Sequence, residues 1–277
     1  YLVILLIFIY LPILMLMIFS FNDGKSMTKW SGFTFDWYKK LFTNPLILGS
    51  IWVTLSIAVV SSLVATVVGT LAAIGINDYK KWQKNLILSV TQIPMMNADI
   101  VTGVSMCLLF VAFFSGWGSF ASWFNTLGLF RLPTHLTMGF GTLLIAHITF
   151  NIPYVILSVG PKLRQMDRNL VDAAMDLGCT WMQAFWKVII PEIKPGIVSG
   201  ALTAFTMSID DFVISYFTAG SSSSTLAMTI YGMTKKKVTP EINAISTLLF
   251  VTVLVLLAVI NVREARQERK LAAEQRR

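Results

Sequence analysis

Apolar positions in this chain run in blocks of bilayer length instead of alternating with polar ones at a soluble helix or strand period. A helix needs about 20 mostly apolar residues to cross the hydrocarbon core. Six stretches meet that length: Leu2 to Ser20, Ile47 to Ile76, Leu86 to Phe114, Leu136 to Gly160, Ile197 to Phe217 and Ile245 to Val262. The pattern predicts an all-α, polytopic membrane protein with six transmembrane helices. The second stretch carries Ser61, Ser62, Ala65, Gly69, Ala72 and Ala73, small residues suited to close helix contact. Pro94 in the third is expected to break its helix near the midplane, a common device for lining a transport path. The first stretch has no basic flank or small-residue cleavage site, so an uncleaved span is expected. In domain terms, residues 1–262 form the membrane unit, with a loop at about 161–191, and 263–277 form a tail of mixed charge that continues the last helix.

Composition agrees: 55% of residues are hydrophobic and 13% charged, against about 25% charged in soluble domains. Mean hydropathy is +0.70. These figures exclude disorder, collagen, coiled coil and a disulfide-rich secreted fold. Cys107 and Cys179 form neither a disulfide framework nor a metal site. The net charge of +8 has to be sorted by loop before it means anything. With both termini cytoplasmic, inner segments hold 14 of the Lys and Arg residues and outer ones 8, so the positive-inside rule favours that orientation. The excess positive charge then marks orientation and a cytoplasmic docking surface, and nucleic acid is not called for. The eight tryptophans all fall in or near loops, as expected of rings that prefer the headgroup zone.

Catalytic signatures are missing. No G-x-x-x-x-G-K-[ST] occurs, and the only Gly-Lys pair is Gly24-Lys25 in an outer loop, so the chain has no visible means of hydrolysing ATP. Neither His135 nor His147 belongs to an H-E-x-x-H pattern, and no G-x-S-x-G is present. His135 is expected at the interface and His147 as a hydrogen-bonded helix-packing residue. The chain is read as a transport subunit without catalytic residues, metal or cofactor of its own.

The loop between the fourth and fifth spans carries the most information. Leu163 to Leu177 reads as a helix, with Leu170, Ala173, Ala174 and Leu177 at helical spacing, and Gly178 is placed to end it in a left-handed conformation. Thr180 and Gln183 form a T-x-x-Q capping box that starts a second helix, apolar on one side through Met182, Phe185, Trp186, Ile189 and Ile190. Pro191 is expected to stop it. Two short amphipathic helices joined at a glycine make a knob that could dock a soluble partner; two helices lying on the membrane surface is the plainer reading. The run Asp172-Ala173-Ala174, three residues, Gly178, nine residues, then Val188-Ile189-Ile190-Pro191 resembles the E-A-A-x-x-x-G-x₉-I-x-L-P signature of bacterial ABC importer permeases, with Asp for Glu, Val for Ile and Ile for Leu. That resemblance implies a type I permease fold over nearly the whole chain. It also implies that Asp172, Ala173, Ala174, Gly178 and Pro191 couple to a separate ATPase, which binds the ATP and Mg.

Asp99, Asp210 and Asp211 fall within spans. A charge at the bilayer centre costs at least about 2.5–3.5 kcal/mol, so such residues normally face a partner or a water-filled path. The spans contain no Lys or Arg to pair with them. Three carboxylates without counter-ions suit a cation, and Phe212, Tyr216 and Phe217 add aromatic faces for ammonium or methylene groups. The plainer reading makes one Asp a helix cap or a protonated, hydrogen-bonded side chain. Successive positions point about 100° apart, so Asp210 and Asp211 need not share a role. The runs Ser208 to Ser215, Thr239 to Ala244 and Asn97 to Val101 resemble the spermidine/putrescine, PotC-like branch of those permeases. On that resemblance the partners are a PotB-like second permease, a PotA-like ATPase dimer and an extracellular PotD-like polyamine-binding protein. The rival readings are a permease of the same family for another cationic or small polar substrate, and an ion-coupled secondary transporter. Lys235-Lys236-Lys237 could meet an acidic binding protein or simply be solvated.

Overall fold

The computed structural model describes residues 1–24, 29–126, 133–167, 169–236 and 240–274. Among these the chain is helical nearly throughout; the one extended pairing is an isolated antiparallel bridge between Asn22 and Phe33. The helices are α1 (Leu2–Phe19), α2 (Asp36–Thr43), α3 (Pro45–Asn77), α4 (Lys81–Met96), α5 (Asp99–Thr126), α6 (Phe140–Gln165), α7 (Asn169–Asp176), α8 (Trp181–Ala184), α9 (Ile190–Asp210), α10 (Val213–Thr218), α11 (Leu226–Lys236) and α12 (Pro240–Glu274). A π turn, Phe185–Ile189, joins α8 to α9. Among the described residues, five segments are long and apolar enough to cross a bilayer: Pro45–Asn77, Asp99–Trp123, Phe140–Gln165, Trp181–Asp210 and Pro240–Val262. α1 is apolar but shorter. This is an all-α, polytopic membrane protein.

The core is the mutual packing of α3, α6 and α9. Three glycines let the backbones close. A Cβ at Gly69 of α3 would fall 2.8 Å from Val155 Cβ, and one at Gly196 of α9 would fall 2.8 Å from the Ser158 carbonyl oxygen. At Gly200 the neighbours stand at 3.2 Å. Lipid tails supply no hydrophobic drive between helices, so association rests on such close contact and on interhelical hydrogen bonds. Those bonds are present: Asn151 Nδ2 donates to Ser208 Oγ at 2.7 Å and to Ser61 Oγ at 3.3 Å, and the two serine hydroxyls are 3.0 Å apart. One asparagine on α6 thus ties α3 to α9 in a fully buried seam.

Further polar contacts fix the second half of the chain on this core. Thr142 Oγ1 donates to the Thr218 carbonyl at 2.7 Å, and the Leu226 N–H donates to Thr54 Oγ1 at 2.8 Å. α2, which the hydropathy pattern does not announce, buries Trp37 and Leu41 in a cluster with Ile47 of α3 and Ile245 of α12. Trp37 Nε1 donates to the Asn22 carbonyl at 2.7 Å, so this ring is a core residue and not a headgroup anchor.

Four boundaries differ from the sequence expectation. The third stretch, Leu86 to Phe114, is divided between α4 and α5, and the break is at Asn97-Ala98 instead of Pro94. Pro94 sits in the last turn of α4, Asn97 is extended, and Asp99 opens α5, where its charge complements the helix dipole. The fifth stretch ends at Asp210 and resumes as α10. The helix expected from Leu163 is only α7, because α6 continues through Gln165 and Asp167 Oδ1 then accepts the Asn169 N–H at 3.0 Å to start α7 afresh. Pro191 does not stop a helix. It lies in the first turn of α9, where a missing N–H is tolerated, and the wider π turn before it relieves the clash of its ring with the preceding turn.

If glycine contacts hold the core, Gly69→Val should destabilise the protein by about 1–3 kcal/mol through overpacking. Gly75→Ala, on the same helix where a Cβ meets nothing within 4 Å, should be neutral or mildly stabilising. Thermal unfolding of the two variants in detergent distinguishes them.

Candidate functional site

The corner between α9 and α10 separates the two adjacent aspartates. Asp211 turns inward: its Oδ1 accepts the Ile214 N–H at 3.2 Å, and its Oδ2 accepts the Ser215 N–H at 2.7 Å and the Ser215 hydroxyl at 2.8 Å. It therefore caps α10 by satisfying amide donors that a helix start leaves unpaired. His147 of α6 lies behind it, with Nε2 3.0 Å from Ser215 Oγ and 3.6 Å from Asp211 Oδ2. The imidazole packs helices and is the polar neighbour that a search for Lys or Arg could not find. Asp210 is the last residue of α9 and is exposed. A carboxylate at the negative end of a helix dipole is unfavourable without an external cation.

Aromatic rings stand beside this corner. Phe212 lies 5.5 Å from Tyr216 and 4.7 Å from Tyr231, and Tyr216 lies 6.3 Å from Tyr231, centroid to centroid. Tyr231 comes from α11, and Lys235 one turn later places its ammonium 4.7 Å over the Tyr231 ring. The cluster thus already holds one ammonium by cation–π attraction. The sequence reading missed Tyr231; an aromatic four residues before a lysine on a helix was its only signal. Of the Lys235 to Lys237 triad, Lys237 lies outside the described residues. Asp99, exposed at the start of α5, is one helical turn from Gly103, whose Cα faces Phe217 and Ile214 of α10. Among the described residues, no hydrogen bond or ion pair joins Asp99 to Asp210 or Asp211.

The second feature is the knob between α6 and α9. Gly178 has φ +87°, a left-handed conformation that side chains rarely adopt. The Cys179 N–H donates to the Ala174 carbonyl at 3.1 Å and the Gly178 N–H to the Met175 carbonyl at 2.9 Å, the paired bonds of a Schellman end. The next helix starts with the expected capping box: the Thr180 N–H donates to Gln183 Oε1 at 3.0 Å and the Gln183 N–H to Thr180 Oγ1 at 3.4 Å. Phe185 and Ile189 anchor the knob in the core cluster of α3, α6 and α9, while Trp181 stacks on Phe185 at 5.6 Å. Asp172 and Ala173 are exposed, Ala174 is half-buried, and Pro191 is exposed at the base. Outward, Leu177 is 88% exposed, Met182 58% and Trp186 63%. These large apolar side chains are left bare on the knob, where a partner protein or the membrane surface would cover them.

The fold is a helical membrane core with one broken span and an exposed knob between α6 and α9. The family described as "Binding-protein-dependent transport system inner membrane component" matches residues 65–272, and the chain belongs to it: it is a non-catalytic, multi-pass permease subunit of a bacterial ABC importer, in the inner or plasma membrane. The putrescine transport system permease protein PotI of Escherichia coli (strain K12) is 35% identical over 87% of this chain and 81% of its own length. The spermidine/putrescine transport system permease protein PotC of Haemophilus influenzae is 34% identical over 90% of this chain and 89% of its own length. The relationship is therefore to both Pot permeases, and PotC is not singled out. Among solved structures, a bacterial ABC transporter that imports the acidic polysaccharide alginate superposes with a TM-score of 0.64 at 16% identity, covering 97% of this chain and 92% of that one. The inward-facing MetNI methionine ABC transporter gives 0.57 at 17%, covering 80% and 98%. These two speak for the fold alone. The importer architecture implies a partner permease, an ATPase and a binding protein on the outer side.

Asp211→Ala should cost about 0.5–2 kcal/mol, the loss of a helix cap. Asp210→Ala should be neutral or stabilise by about 0.3–1 kcal/mol, since it removes a charge from the wrong end of a dipole. Unfolding of the two variants side by side checks the division of roles.

Proposed function

We propose that this chain is the six-span permease subunit of an ATP-driven polyamine importer, with both termini cytoplasmic, and that it forms half of the path for spermidine or putrescine. The observation that carries the reading is an exposed Asp210 at the end of its helix, two residues before Phe212, whose ring clusters with Tyr216 and Tyr231. A polyamine is a flexible chain of ammonium groups joined by methylenes, and it needs spaced negative charge and aromatic faces. Asp210 and Asp99 supply the charge, and the rings supply cation–π contact for ammonium and apolar contact for methylenes. Asp211, which remains a path residue in this reading, lends its second function as the cap that holds Asp210 at the end of its helix. The names of the Pot relatives support the same substrate class.

Coupling follows from the helix that carries Asp210. Trp181 to Asp210 is one helical segment of 30 residues, about 45 Å long, with the knob at one end and the carboxylate at the other. Asp172, Ala173 and Ala174 face a PotA-like ATPase, Gly178 sets the angle of the two short helices, and Pro191 lies where the knob joins the rod. ATP and Mg bind in the ATPase, a PotB-like permease completes the path, and a PotD-like protein delivers the polyamine.

The test is ATP-dependent spermidine and putrescine uptake by the chain reconstituted with the subunits encoded beside it. Asp210→Asn should lower uptake efficiency tenfold or more, matching the roughly 1.5–3 kcal/mol of a charge-assisted hydrogen bond. Gly178→Asp should leave protein in the membrane and ATP hydrolysis running while uptake is lost. Unchanged uptake by Asp210→Asn sinks the path assignment. Loss of assembly by Gly178→Asp, with normal coupling in what survives, sinks the coupling assignment.

A further inference from the structure

A cavity of about 100 Å³ opens between the C-terminal ends of α3 and α6 and the face of α4. It is separate from the Asp210 corner, and import as described above makes no use of it. Lys84, Arg164, Asn77 and Gln92 are its polar lining, Leu88 and Leu157 line it with apolar surface, and no carboxylate lines it. Lys84 Nζ donates to Asn77 Oδ1 at 2.7 Å, which holds the ammonium at the rim. Among the described residues, neither Lys84 nor Arg164 has a carboxylate within ion-pairing distance. Gly160 lines it, and a Cβ there would meet nothing within 4 Å, so a larger side chain has open space to enter. A neighbouring cavity under the knob is lined by Asp78 and Asp172, so the two openings differ in sign.

We propose that the cavity binds an anionic phospholipid, its headgroup phosphate between Lys84 and Arg164 and an acyl chain along Leu88 and Leu157. Two cations over an apolar wall match the two ends of a lipid, whereas free phosphate would use only the rim. The residues leading into α4 fit the same place: Lys80, Lys81 and the exposed Trp82 are the basic and aromatic side chains that sit at a headgroup layer. The lipid fills the gap between α4 and α6 and thereby steadies the helix that leads to the Asn97-Ala98 break. This inference rests on the proposed orientation, which puts the α3–α4 connection on the cytoplasmic side; external labelling of a cysteine placed at Asn85 tests that orientation independently of uptake.

The experiment uses the full chain with its partner subunits in nanodiscs of phosphatidylcholine, with and without phosphatidylglycerol, read by native mass spectrometry and thermal unfolding. Wild type should retain phosphatidylglycerol and unfold at a higher temperature when it is present, and millimolar inorganic phosphate should not reproduce the shift. Lys84→Gln with Arg164→Gln should weaken retention roughly thirtyfold, at about 1 kcal/mol for each cation lost. Gly160→Leu, which fills the cavity and keeps both cations, should also lose the lipid. Equal retention by wild type and both variants overturns the proposal, as does stabilisation by phosphate alone. Should a variant unfold in phosphatidylcholine, wild-type preference for phosphatidylglycerol in mixed discs decides, and equal retention of the two lipids overturns it.

Discussion

The close approach of α9 to α3 and α6 is the constraint on which the rest of this structure depends. Gly69, Gly196 and Gly200 remove the side chains that would hold the three backbones apart, and Asn151 then bonds across the gap to Ser61 and Ser208. In hydrocarbon an unpaired donor is costly, so the bonds of the Asn151 amide nitrogen to the two serines favour one register of the three helices. A helix held on two sides along its length can tilt or shift as a body but cannot bend without opening the seam. Both functional features hang from that helix: the knob through the buried Phe185 and Ile189, and Asp210 at its far end.

The corner shows how two identical side chains acquire different roles. Asp211 finds two backbone amides, a hydroxyl and an imidazole within reach, and its carboxylate starts α10. Asp210 ends its helix at the negative pole of the dipole and is exposed, with no ion pair among the described residues. In the proposed function, that is how a path residue is presented to a cation without a protein counter-ion competing for it.

Much of this was legible in the chain itself. Block hydropathy outlined the apolar helices, and the small residues of the second stretch are the ones that face α6. The T-x-x-Q box and Gly178 formed the cap and the left-handed turn that their chemistry demands. Other features were hidden by the same uniform hydropathy that revealed the spans. Asn97 and Asp99 did mark the third stretch, but Pro94 three residues earlier drew the expected break away from Asn97-Ala98. Asp211 with Ser215 is a readable cap signal, yet it lies inside a stretch long enough to be one helix. Pro191 looked like a stop because a sequence does not show a π turn opening ahead of it. His147 was expected as a hydrogen-bonded packing residue and is one, but its partner Ser215, like the place of Tyr231 beside Phe212, is set by tertiary packing that the chain does not display.

The central claim is that α9, with its π turn, acts as a stiff link between the knob and the corner. Spin labels at Met182 and Met207 of a variant lacking Cys107 and Cys179, in the assembled transporter, measure it by pulsed dipolar spectroscopy through the ATP cycle. Twenty-five helical residues separate the two sites, about 37 Å. One narrow distance near that value is expected with and without nucleotide, while a pair from Met207 to Ile100 changes. A distance between Met182 and Met207 that shortens or splits on ATP binding would show the helix folding at its π turn, and would contradict it.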